Sequence, residues 1–236
     1  MPNGVINELK KTKRTGLLLI IIVSMLVMVT LQGSLGLIAA SVDENSIYVT
    51  ALSMFFQLFF PVIVALIISI SLYNEKRNEG ILIYYYNAFS LTRVYWNKVC
   101  SFQIQALAVY VMSVMLAMPF IVLEGGNPLV YVMNNLNGMF YSVIGIIALV
   151  NIQFFISVIL NNQILSLSIA LLGTIGNFFV APSPLWPYYP WSYLYRMLYH
   201  STIQANQIVT VVIILLISLI AILLNTKRFK KNMLVQ

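Results

Sequence analysis

From Gly16 to Ala40, Ile47 to Leu72, Val99 to Leu123 and Gln207 to Thr226 the chain carries no charged side chain. Each stretch is long enough for a helix to cross a hydrocarbon layer of ~30 Å, which takes roughly 20 residues. A backbone in lipid must satisfy its own hydrogen bonds, so these stretches are expected to be spanning helices. The composition excludes the alternative of a water-soluble globule. With 61% hydrophobic and 8% charged residues and a mean hydropathy of +0.92, there is too little polar surface to cover one.

Residues 125–195 also contain no charge, and their length alone allows one, two or three crossings. Parity selects among these. Lys10, Lys11, Lys13 and Arg14, then Lys76, Arg77, Arg93 and Lys98, then Lys227, Arg228, Lys230 and Lys231 form three basic groups. The positive-inside rule puts all three in the cytoplasm, so an even number of spans separates each pair. The fourth and fifth spans fall at about Met139–Leu160 and Gln163–Val180, turning at Asn161-Asn162. The expected fold is all-α: a polytopic membrane protein of six helices with both termini cytoplasmic, in one domain over residues 1–236. Arg196 is then the one basic residue outside.

The N-terminal apolar run is too long for a cleavable signal peptide and lacks a clean small-residue site. Cys100, the single cysteine, has no partner for an internal disulfide. The net charge of +7 is divided among juxtamembrane groups, which fits contact with anionic membrane lipids and not nucleic-acid binding.

The segment YNEKRNEGILIYYYNAFSLTRVYWNK, residues 73–98, is far longer than a turn between two spans requires. Glu75 and Glu79 share a helical face, and Ile81, Leu82, Tyr85, Tyr86 and Phe89 make an apolar stripe. Ser90 suits the N-cap of a second helix carrying Arg93 and Lys98 into the third span. One reading is a helix lying on lipid. The other is a docking element whose charges face a cytoplasmic partner.

An amphipathic N-terminal stretch (residues 1–15), six spans, and a second loop reading Glu, Arg, Glu-Gly, then Ser-x-x-Arg and Lys resemble a type-2 ABC transporter permease over essentially the whole chain. In that family the loop is the coupling helix, seated in a cleft of the ATPase subunit. The resemblance implies that Glu75, Arg77, Glu79 and Gly80 lie on the coupling segment and Arg93 and Lys98 on its exit helix. Many members have proline just before Ser-x-x-Arg, where this chain has Ala88-Phe89. No G-x-x-x-x-G-K-[ST] loop occurs, so this chain is not itself an enzyme. It binds no cofactor, and ATP and Mg belong to a separate cytoplasmic ATPase subunit. Six spans are half the usual complement, which implies a second permease, identical or homologous.

Residues 181–206 hold Pro182, Pro184, Pro187 and Pro190 among many aromatics. The prolines prevent a regular helix before Trp191, and the aromatics suit the lipid–water boundary. They are expected either to fix depth or to form a re-entrant outer gate, for which Trp186, Trp191 and Arg196, with His200 one turn on, are the candidates. Polar residues within spans are costly in lipid and face protein or water. Gln57 with Pro61, Gln103 and Gln105, Asn151 and Gln153, and Asn177 are therefore either ties between helices or part of a substrate route. The loop PLWPYYPWSY is similar to the branch that protects Gram-positive producers from their own lantibiotics. This implies a cell-membrane exporter of an amphipathic peptide. An ABC permease for another lipid-like or drug substrate is the alternative, as is a scaffold or immunity protein that binds without transporting. Intramembrane proteolysis lacks its groups: one histidine at the outer boundary and no acid at depth leave neither a serine's base nor a metal set.

Overall fold

A computed structural model describes residues 2–13, 17–38, 52–77, 91–123, 126–160, 162–199 and 205–234. Among these the fold is helical without strands. A short α1 (Pro2–Lys13) precedes α2 (Leu17–Ile38). Helix α3 covers residues 52–77, regular over Phe60–Arg77 and preceded by a π turn at Phe55–Phe59. Then come α4 (Leu91–Leu123), α5 (Pro128–Leu160), α6 (Gln163–Val180), the 3₁₀ turns Trp186–Tyr188 and Pro190–Ser192, α7 (Tyr193–Tyr199) and α8 (Ala205–Leu234).

Helices α3, α4, α5, α6 and α8 each contain a stretch long and apolar enough to cross a membrane. α2, with 22 residues and an apolar centre at Ile21–Leu31, is the sixth. The expected six-span, all-helical architecture is therefore the observed one. Its uncharged turn falls where expected. The Asn162 side chain caps α6 by accepting from the Ile164 and Leu165 amides at 2.9 and 3.4 Å.

The fourth span differs from expectation. It begins at Pro128 and not near Met139, because Asn127 caps it through a 3.0 Å bond from the Leu129 amide and proline is well suited to the first helical position. Its 33 residues measure about 50 Å, well beyond the hydrocarbon thickness. The excess carries Asn134, Asn135 and Asn137, which suit water better than lipid.

The core lies between α3, α4 and α5, with α2 on α4, α6 on α3, and α8 along α5. Phe56 stacks on Tyr110 at 5.6 Å, Tyr95 stacks on Phe154 at 5.6 Å, and Phe102 meets Phe154 edge-on at 5.4 Å. Lipid offers no hydrophobic drive for association, so tight packing of this kind and small-residue approaches hold the helices. Gly33 is one such approach: a Cβ there would enter the Phe120 ring of α4.

Candidate functional site

At the cytoplasmic end, α1 lies against α4 with Gly4, Glu8 and Lys11 on one face. Gly4 meets the side chain of Asn97 so closely that any Cβ would collide with it. The neighbouring Lys98 is 0% exposed, and its ammonium pairs with the carboxylate of Glu75 and with Glu8 at 3.3 Å. Lys11 closes the ring on Glu8 at 2.8 Å and on Glu75 at 3.1 Å. Two acids and two bases thus join α1, the end of α3 and the start of α4. An unpaired buried charge would be several kcal/mol too costly, so each charge fixes the next.

The sequence places Glu75 beside Glu79 on a partner-facing surface. The structure turns the Glu75 carboxylate inward, because Lys98 is buried there and needs a counter-charge. Arg93 is exposed. Arg77 ends α3; Glu79, Gly80, the 81–89 stripe and Ser90 lie outside the described residues. The Glu75–Lys98, Glu8–Lys98 and Lys11–Glu75 pairings were all invisible in sequence. A basic N-terminal stretch and an acid 64 positions away give no periodic signal.

Gln103, Asn151 and Gln153 tie helices to one another, whereas Gln105 donates to Ser101 one turn back on its own helix at 3.0 Å. Gln103 Nε2 reaches Asn151 Oδ1 at 3.5 Å, and Asn151 Nδ2 donates to Ser218 Oγ at 2.8 Å, linking α4, α5 and α8. Gln153 Nε2 donates to the Ser166 carbonyl and hydroxyl at 3.3 and 3.2 Å. Ser166 in turn meets Ser157 at 2.6 Å and Ser69 at 3.0 Å. These three hydroxyls, with Tyr73, Asn162 and Gln163, line a cavity of about 20 Å³ near the cytoplasmic ends of α3, α5 and α6. We expect Ser166→Ala to cost about 1–2 kcal/mol, because it removes the hydroxyl on which three partners converge. A melting midpoint in detergent equal to that of the unaltered protein would contradict this.

On the outer side the prolines act as expected, giving two 3₁₀ turns before α7 begins at Tyr193. The segment does not lie flat at the boundary. Trp191 packs on Gly173 and Tyr189 on Gly176, each so closely that a Cβ on either glycine would clash with the ring. The Tyr189 hydroxyl donates to the Gly173 carbonyl at 2.7 Å. Gly173 is roughly 15 Å along α6 from its start, so the aromatic segment folds back to the middle of that helix. Tyr193 and Leu194 are buried against α5, where Gly145 admits the Tyr193 Cβ. Ser192 locks the double turn by donating to the Trp186 and Tyr189 carbonyls at 2.9 and 2.6 Å. Trp186 stays half-buried, with the Arg196 guanidinium 5.6 Å from its ring centroid, a cation–π arrangement. His200 lies outside the described residues.

No curated protein and no solved structure matches this chain. Residues 5–177, nearly three-quarters of it, match the family described as ABC-2 family transporter protein. Apolar helices long enough to span a membrane and this match together place the chain among the ABC-2 family transporter proteins, as a membrane permease component of an ABC transporter.

Proposed function

We propose that the protein is the permease subunit of an ATP-driven exporter in a bacterial, Gram-positive cell membrane. It removes an amphipathic peptide, such as a lantibiotic, for self-protection. A separate cytoplasmic ATPase grips residues 73–98, and a second permease completes the route. The observation carrying this reading is the outer aromatic segment. It combines the half-buried Trp186 ring with Arg196, the one lysine or arginine that this topology leaves at the outer face. Apolar ring area beside one positive charge complements a peptide with an apolar face and an acidic group. Binding it at the outer membrane surface requires no charge within the spans. The energy then has to arrive from outside the chain, through the cytoplasmic loop.

Two variants test the two ends separately. Glu79→Lys is expected to abolish capture of the ATPase from the native membrane while the permease still inserts; undiminished capture would remove the coupling assignment. Trp186→Ala is expected to lower protection against a panel of lantibiotics about tenfold with capture retained, the size of a lost aromatic hot spot of ~1.4 kcal/mol. Full protection against every member would remove the peptide reading and leave the permease.

A further inference from the structure

Helix α3 departs from regular geometry at one place. Phe55–Phe59 form the π turn, in which the Phe60 amide donates to the Phe55 carbonyl, and buried Pro61 follows directly. In a regular helix the N–H of residue 61 would donate to the carbonyl of residue 57. Proline has no N–H to give. The Gln57 carbonyl instead accepts from Asn177 Nδ2 of α6 at 3.1 Å.

Asn177 is 0% exposed, and its Oδ1 has no hydrogen-bond partner among the described residues. An amide satisfied at one end only is a costly group to bury, where leucine would pack without that penalty. Its partner is the Gln57 carbonyl, which proline deprives of the usual i+4 donor. π turns and prolines are also where helices bend. α7 touches this same turn, so the turn is connected to the folded-back outer segment.

We propose that Pro61 and the π turn form a hinge in α3 that Asn177 locks from α6. While the bond is made, the outer and inner parts of α3 hold one angle; when α6 withdraws, the carbonyl loses its donor and the angle is released. The motion serves transport only if the chain works as the permease read above. The lock itself is a property of this chain alone and can be tested without ATPase or cargo.

The measurement is the distance between nitroxides attached at Met54→Cys and Tyr73→Cys, on either side of the hinge. Both positions are exposed, and Cys100→Ser removes the native thiol. The full-length protein in lipid nanodiscs should give one narrow distance, with the two backbones about 28 Å apart. Asn177→Leu should broaden the distribution or move its maximum by several ångströms. Adding Pro61→Ala, which supplies the missing N–H, should restore a single narrow distance. An unchanged distribution in Asn177→Leu overturns the lock. So does broadening that persists in the double variant, since lost packing and not an orphaned carbonyl would then be the cause. If Asn177→Leu alone cannot be purified, the double variant must be recoverable, and its equal loss counts against the proposal. Failure of the Glu79→Lys capture experiment would remove the coupling assignment and leave these distances to decide the hinge.

Discussion

Lys98→Met is expected to be the most damaging single substitution at the cytoplasmic end. It removes the buried ammonium shared by Glu75, 8% exposed, and Glu8, 7% exposed, and leaves the half-exposed Lys11 among their remaining partners. Breaking a buried pair by removing one partner costs about 3–5 kcal/mol, because the remaining charge stays desolvated. For a chain of this size that corresponds to a fall of roughly 6–15 °C in the unfolding midpoint, followed in detergent by intrinsic fluorescence. The same physics predicts its own rescue. Glu75→Leu combined with Lys98→Met removes both charges and should recover much of the loss, since an apolar pair of similar volume avoids the desolvation cost. A double variant less stable than Lys98→Met would show that the network is not held together by charge balance. Because the ring ties Glu75 and Lys98 to α1, Lys98→Met should also weaken ATPase capture if residues 73–98 couple as proposed, and the double variant should restore only the stability.

The second large effect is expected at Gly173. Any side chain there would fall well inside contact distance of the Trp191 indole, and that indole already packs against the main core. Tyr189 adds its hydrogen bond to the Gly173 carbonyl on the same side. Gly173→Val therefore has to eject Trp191, costing the usual 1–3 kcal/mol of overpacking plus the burial of an aromatic ring. The outer segment should become a substrate for protease added outside sealed vesicles, with cuts between residues 181 and 192, where the unaltered protein resists. Gly173→Val combined with Trp191→Ala relieves the clash and should recover part of the resistance. Equal resistance in Gly173→Val and the unaltered protein would show that the segment is not held against α6.

Much of this architecture was legible in the charges. Lipid excludes unpaired charge and unbonded backbone so strongly that the uncharged stretches become helices and the basic groups mark one side. The Asn161-Asn162 turn was readable because asparagine is among the best helix caps. The start of α5 was not, because a helix continues past the hydrocarbon wherever its own capping allows, and thickness sets only a minimum length.

The uncharged sequence and the placement of its lysines and arginines determined by themselves that this is a membrane protein of apolar spanning helices with its basic groups between and beyond them. Tertiary structure alone decided what its polar residues do. Glu75 became one corner of an ion ring with α1, Asn177 became the donor that Pro61 denies to Gln57, and Trp191 became a plug against Gly173. Partition into lipid depends on each segment's own composition, so it is written locally. A buried polar or aromatic side chain depends on which group a distant helix brings within hydrogen-bonding or contact distance, and only packing brings the two together.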